Sequence, residues 1–394
     1  MKKFLLLGLA LLLLSSALFA EDAKVMPLRT GRLSLAPSFT MGEKVFDDDG
    51  SRVDAKYDSL KIFNFGAALE YGITGWLTGA VQWAPGVNIW SSIDMALPLP
   101  SNPMASSASD VRLLDVGDLF VGAKMQILGK DALIKNERMR LAFAPGIKIP
   151  FSGPNFKEQT KNAEKGDKVT PDAMDNHALG LGLRSYYDFI INDKFFINFY
   201  NEALFYVTER DLKKTGYQQY LVATGIDQVN GLISSTPLGA TLTSNLFDYG
   251  KVKYGYDLTF EIEPTFSTPL GPVLFTASVP ITYKTTPGKK YDVSYDNTML
   301  QGAIAYISSL PDGSLPMPNA QAIGTLQGLA GQVDDLNAGE GQTHLLTINP
   351  GVAVMFYKWK VPFEFEFNYK APVWGLRDKA NHTFVFIAKM FFKF

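Results

Sequence analysis

The connections between the alternating segments of this chain themselves alternate in length, and that pattern leaves few folds open. Twelve segments carry apolar residues at every second position: 28–41, 57–71, 76–90, 112–128, 138–150, 178–191, 194–208, 253–267, 273–285, 343–357, 361–373 and 382–394. Period two places each apolar set on one face of a strand. Short turns follow the even-numbered segments, near Gly72–Gly75, Gly129–Glu137, Asn192–Asp193, Thr268–Pro272 and Lys358–Lys360. Long connections follow the odd-numbered ones, near Gly42–Lys56, Ser91–Val111, Ser152–His177, Glu209–Val252, Thr286–Gln342 and Trp374–Asn381. A soluble sandwich has no reason to sort its loops in this way. An even number of antiparallel strands with short turns at one end and long loops at the other describes an all-β, up-and-down transmembrane barrel. A strand pair within Tyr295–Ile307 would raise the count from twelve to fourteen.

The last segment makes the same point. Phe384, Phe386, Ala388, Met390, Phe392 and Phe394 form an unbroken apolar face that runs to the end of the chain. Termini fray, so such a face needs a partner, and a closing barrel supplies one by pairing the last strand with the first. The terminal Phe392 and Phe394 also resemble the C-terminal assembly signal of bacterial outer-membrane barrels, which implies the barrel-assembly machinery as a partner.

Composition agrees. The N-terminus reads as a secretory signal over residues 1–20, with Lys2 and Lys3 before the apolar run Phe4–Leu14 and small residues up to Ala20. Residues 21–394 then form one outer-membrane barrel domain. No other run reaches the ~18 apolar residues a spanning helix needs. The net charge of −2 gives no footprint for nucleic acid, and the absence of cysteine fits an exported chain without disulfides.

Charge decides which face is which. An Arg or Lys facing lipid at the midplane costs about 2–4 kcal/mol, so the polar faces line the lumen and the apolar faces meet lipid. That assigns Lys124, Arg140, Lys148 and Arg184 to one lumen wall and Asp257, Glu261, Glu263, Glu364 and Glu366 to the opposite one. Such walls either orient polar solutes across a pore or pair and fill a narrow one. Trp76 and Trp359 fall at the short-turn end, Trp90 and Trp374 at the long-loop end, as membrane-interface girdles. The long loops are unusually apolar. Ile323, Leu326, Leu329, Val333 and Leu336 recur at spacings of three and four, predicting a short amphipathic helix. These apolar loops call for the barrel mouth, the lipid surface or a greasy ligand as their partner.

Three passages carry a family resemblance: Leu69–Gly86 (LEYGITGWLTGAVQWAPG), Val116–Leu128 (VGDLFVGAKMQIL) and Leu141–Gly153 (LAFAPGIKIPFSG). Together they resemble the MetA-pathway phenol-degradation outer-membrane barrels, within the wider group of fatty-acid and aromatic-hydrocarbon transporters. The resemblance implies passive uptake of small hydrophobic or aromatic compounds. It covers roughly a third of the chain. About eight residues separate Glu21 from the first strand, so the N-terminal plug of the fatty-acid channels is expected to be missing.

Other chemistry finds little support. Asp175-Asn176-His177 above the sixth strand, with Asp47–Asp49 in the first long loop, faintly resembles the omptin proteases; but those barrels have fewer strands, and DDDG also reads as a turn. The sequence holds no phosphate loop, dinucleotide fingerprint or cysteine metal site, so no catalytic residue, metal or cofactor is expected. The function expected is an outer-membrane channel for small hydrophobic or aromatic compounds. A general porin with a charge-sorted aqueous lumen and a surface-exposed structural or adhesive barrel are the alternatives.

Overall fold

The computed structural model describes residues 22–55, 59–99, 102–111, 115–167, 169–170, 173–237, 239, 245–311, 313–338 and 341–393. The signal sequence proposed for residues 1–20 and the terminal Phe394 lie outside the described residues.

Twelve strands close on themselves. They are β1 (Thr30–Gly42), β2 (Ser59–Gly72), β3 (Leu77–Leu99), β4 (Leu119–Gly129), β5 (Met139–Ile149), β6 (Gly180–Ile190), β7 (Phe195–Tyr206), β8 (Tyr256–Leu270), β9 (Val273–Ser278 continued by Ile281–Thr286), β10 (Thr343–Ile348 continued by Gly351–Phe356), β11 (Phe363–Leu376) and β12 (His382–Lys393). Each pairs antiparallel with its sequence neighbours, and β1 pairs with β12 from Thr30↔Lys393 to Met41↔His382. No barrel strand is left with a free edge, which is what a backbone in lipid requires.

The molecule is apolar outside and polar inside. Leu69, Leu183, Phe260, Ile262, Val352, Phe365 and Phe386 are exposed, whereas Ser34, Thr40, Asn64, Gln82, Asn198, Thr259 and Thr383 are buried. This inverts a soluble protein and makes lipid the solvent of the outer face.

Prolines mark one sector of the wall. Pro264, Pro280 and Pro350 lie on β8, in the break of β9 and in the break of β10. A proline has no N–H, so at three adjacent interfaces only its carbonyl joins the ladder. The remaining bonds are Val279 N to Pro264 O (3.2 Å), Asn349 N to Pro280 O (2.8 Å) and Tyr369 N to Pro350 O (3.0 Å).

Two expectations need correction. The segment Tyr295–Ile307 adds no strand pair: Asn297–Ser309 is helix α3, so the barrel stays at twelve. Asp296 caps it by accepting from Met299 N (3.0 Å), and Leu300, Ala303 and Ile307 bury one face. The connection after β3 is no simple loop. β3 runs on past the wall to Leu99 and pairs with a returning strand, Asn102–Val111. The predicted amphipathic helix forms as α4 (Asn319–Asn337), with Leu326, Leu329, Val333 and Leu336 buried.

Candidate functional site: the lumen and its two closures

The extracellular closure is built from loops that pack into the mouth. Helix α1 (Phe156–Glu164) lies in the β5–β6 connection and α2 (Tyr217–Ser234) in the β7–β8 connection. Phe156 of α1 and Tyr217 of α2 meet Leu60 and Ile62 of β2, Ile93 of β3 and Met174 in one buried apolar cluster. Above it, α2, α3 and α4 share a larger core with Phe247, Val252 and Val293 of a small sheet formed by Phe247–Lys253 and Lys290–Tyr295. Of the three partners expected for the apolar loops, the barrel mouth takes one group of these side chains, and the rest pack against each other, which was not among the three.

Charged groups tie the closure down at the rim. The imidazole of His177, which precedes β6, sits between two carboxylates from the segment before β4. Its Nε2 lies 2.8 Å from Asp115 Oδ2 and its Nδ1 2.9 Å from Asp118 Oδ1. Burial alone would lower its pKa, but the hydrogen bonds and charges of Asp115 and Asp118 outweigh burial and push it up to about 9. Lys148 of β5 pairs with Asp175 and lies 3.6 Å from Asp118. With Nε2 hydrogen-bonded to Asp115 and Nδ1 within ion-pair distance of Asp118, His177 ties the segment before β6 to the one before β4. The Asp47–Asp49 run is a turn, with the Asp47 side chain accepting from Asp49 N and Ser51 N and Gly50 at φ +86°.

On the wall from β3 to β7, side chains on the lumen face interlock. Arg184 of β6 donates to Glu202 of β7 (2.9 Å) and bonds Gln82, and its guanidinium carbon lies 3.9 Å from the centre of the Phe120 ring. Tyr200 donates to the other oxygen of Glu202 (2.9 Å). Lys124 lies 4.0 Å above the Tyr186 ring.

The short N-terminal segment, too short for the plug of the fatty-acid channels, is held against the wall of β3 to β6. Residues 22–26 enter the lumen. The amide of Ala23 donates to both oxygens of Asp188 (2.9 and 3.0 Å), and that of Met26 to Thr78 Oγ1 (2.8 Å). Lys124 donates to the carbonyls of Asp22 (2.8 Å) and Lys24 (3.3 Å). Arg140 bridges Asp188 (2.9 Å) and Asp22 (3.5 Å). Burial would raise the Asp22 carboxyl, but Lys24, Lys124 and Arg140 hold it below the usual carboxylate range. A handful of residues suffices because their backbone amides and carbonyls meet charged partners on the wall.

The nine charged lumen residues named from sequence therefore separate into local groups. Lys124, Arg140, Lys148 and Arg184 bind the N-terminal segment or acids that sequence reasoning passed over as partners: Asp175, Asp188 and Glu202. On the far wall, Lys389 lies 2.8 Å from both Glu364 and Glu366. Asp257 accepts from Tyr206 (3.0 Å) and Thr286 (2.9 Å), Glu261 from Thr282 (2.5 Å) and Glu263 from Asn198 (2.9 Å). Among the described residues, no pair joins the four basic residues to the five acidic ones. Trp90, Trp359 and Trp374 are exposed, Trp76 is half-buried, and Phe392 abuts Gly31 of the first strand.

A closed twelve-stranded barrel with an apolar exterior, short turns at one end and folded loops at the other is the fold of a bacterial outer-membrane β-barrel. A crystal structure of an outer membrane channel from Pseudomonas putida F1 aligns over 95% of this chain and 99% of its own, at a TM-score of 0.53 and 10% identity, and this likeness shows the fold. A Ralstonia pickettii toluene transporter (94% and 90% covered, TM-score 0.35, 8% identity) and a Pseudomonas aeruginosa FadL homologue (94% and 91%, TM-score 0.32, 8% identity) align more loosely. No family model and no curated protein sequence matches the chain.

Proposed function

We propose that this barrel is an outer-membrane channel for passive uptake of small hydrophobic or aromatic compounds. The observation that carries the reading is the chemistry of the mouth. Phe156, Tyr217, Leu60, Ile62, Ile93 and Met174 form a buried apolar cluster where the cap meets the barrel wall. A hydrated ion must shed water to cross such a cluster, whereas an aromatic solute exchanges one apolar surface for another. The family resemblance of Leu69–Gly86, Val116–Leu128 and Leu141–Gly153 points the same way. With this role go outer-membrane lipid around the barrel and the assembly machinery as reader of the C-terminal strand.

The test is reconstitution of the mature chain. Liposomes should take up a small aromatic such as phenol faster with the protein than without it, while planar bilayers show no large ohmic steps. Steady ohmic conductance would put the general porin in its place. Equal uptake with and without protein, from a barrel that stays folded, would leave the surface-protein reading standing.

A further inference from the structure

Two lumen carboxylates differ from the rest. Glu70 has Arg32, Asp188 has Arg140, Glu202 has Arg184, and Glu364 and Glu366 share Lys389. Glu261 and Glu263 project from the lumen face of β8, two residues apart, and among the described residues no cation lies within ion-pair distance of either. Lys370 faces Glu261 from β11 without pairing with it, and Glu366 faces Glu263.

Two buried amides beside these carboxylates each leave a carbonyl oxygen unmatched. Asn198 is 6% exposed and Asn349 4%, and neither Oδ1 atom has a hydrogen-bond donor among the described residues. Their orientations are fixed by the neighbours. Thr282 gives its single hydroxyl hydrogen to Glu261, so at Asn349 it can only accept, and it does so from Nδ2 at 2.7 Å. The carboxylate of Glu263 likewise takes the Nδ2 side of Asn198 at 2.9 Å. Turning either amide over would set oxygen against oxygen. Asn198 and Glu263 are cross-strand partners. Glu263 and Asn349 flank the break of β9, where the side chain of Pro280 is an apolar ring and its carbonyl is taken by Asn349 N.

We infer that Glu261 and Glu263, with the carbonyl oxygens of Asn198 and Asn349, form a lumen site for a singly charged cation. Two carboxylates against the one ammonium of Lys370 leave a single negative charge to neutralise. Carboxylate and amide oxygens are hard donors, suited to an alkali ion or to the protonated amine head of a solute. The site needs only cation access to the lumen, so it stands whether or not the barrel carries aromatic compounds.

The experiment is thermal unfolding of the purified full chain in detergent at fixed ionic strength. Potassium and benzylammonium are compared with tetraethylammonium, whose ethyl groups cover its charge and leave no N–H to donate. A saturable rise in unfolding midpoint is expected with at least one of the two, and which one acts tells an ion site from an amine site. Glu261→Gln with Glu263→Gln should abolish the rise, while Glu137→Gln, at an exposed periplasmic turn, should keep it. A midpoint indifferent to both cations, as water in the site would give, overturns the inference; so does a rise that survives in the double variant. Should that variant fail to fold, diffraction from wild-type crystals grown with rubidium or benzylammonium decides. Density between the Glu261 and Glu263 carboxylates is expected, and its absence with both overturns the inference.

Discussion

The backbone amide of Ala23 donates to both carboxylate oxygens of Asp188, at 2.9 and 3.0 Å, although 165 residues separate them. This forked bond anchors the N-terminal segment inside the barrel, and Arg140 completes it by pairing with the same carboxylate. A hydrogen bond to a charged group is worth about 1.5–3 kcal/mol. Replacing Asp188 by Asn removes the charge and one acceptor, a loss of about 3 kcal/mol or roughly a hundredfold in the release of the segment. The chain has no cysteine, so a single probe has no background. Maleimide labelling of Ala23→Cys should be slow in the parent and faster by one to two orders of magnitude beside Asp188→Asn. Equal rates would mean that the anchor lies elsewhere.

His177 predicts a response to alkali. Its folded pKa of about 9 stands above its ordinary value of 6.5. A raised pKa means that the protonated form is bound more tightly in the folded state. The stabilisation is fully present below about pH 6.5 and is lost as pH rises through 9. The difference is on the order of 3 kcal/mol. The temperature at which the barrel unfolds in detergent should therefore fall by several degrees between pH 7 and pH 10. His177→Gln should be less stable at pH 7, because Asp115 and Asp118 then face each other with only Lys148, 3.6 Å from Asp118, to offset them, and its midpoint should rise toward acid. A flat profile for the parent would remove His177 from the knot.

Arg184 and Glu202 allow a stricter comparison. Removing one partner of a buried pair strands the other charge and costs about 3–5 kcal/mol, whereas replacing both by apolar groups is often neutral. Glu202→Ala should therefore lower the unfolding midpoint more than the double change of Arg184→Met with Glu202→Leu. If the single and double variants unfold together, Gln82 and the Phe120 ring are holding Arg184 without Glu202.

What could be read from the sequence follows the physics of strands. Period two fixes which face a residue takes, so the twelve strands are legible. Partners depend on register, which the alternation leaves open. Arg184 and Glu202 both read as inward-facing, yet nothing in the pattern set them opposite each other. The N-terminal residues carry no periodicity at all, and their place is set by Asp188, Arg140 and Lys124 on three distant strands. Helix α3 did leave a signal: Asp296 as cap and Leu300, Ala303 and Ile307 at spacings of three and four, overlooked beside a sheet-rich context.

Phe156 supplies the test of the mouth. Its side chain is 2% exposed and packs in the apolar cluster with Tyr217 and Ile62. Truncating a buried Phe to Ala costs about 3–5 kcal/mol where the surroundings cannot collapse. At a loop closure this cost falls on the seating of α1 more than on the twelve-stranded wall, whose ladder does not involve Phe156. Phe156→Ala should leave the heat-resistant barrel intact while loosening the cap, so small ions leak and single-channel events appear in bilayers. Phe156→Leu keeps the surface apolar and should conduct little. Phe156→Asp places a charge in the cluster, and phenol uptake into liposomes should drop even though the mouth is looser. If Phe156→Asp and Phe156→Ala took up phenol equally, the chemistry of this cluster would not govern passage, and the apolar mouth would be only a seal.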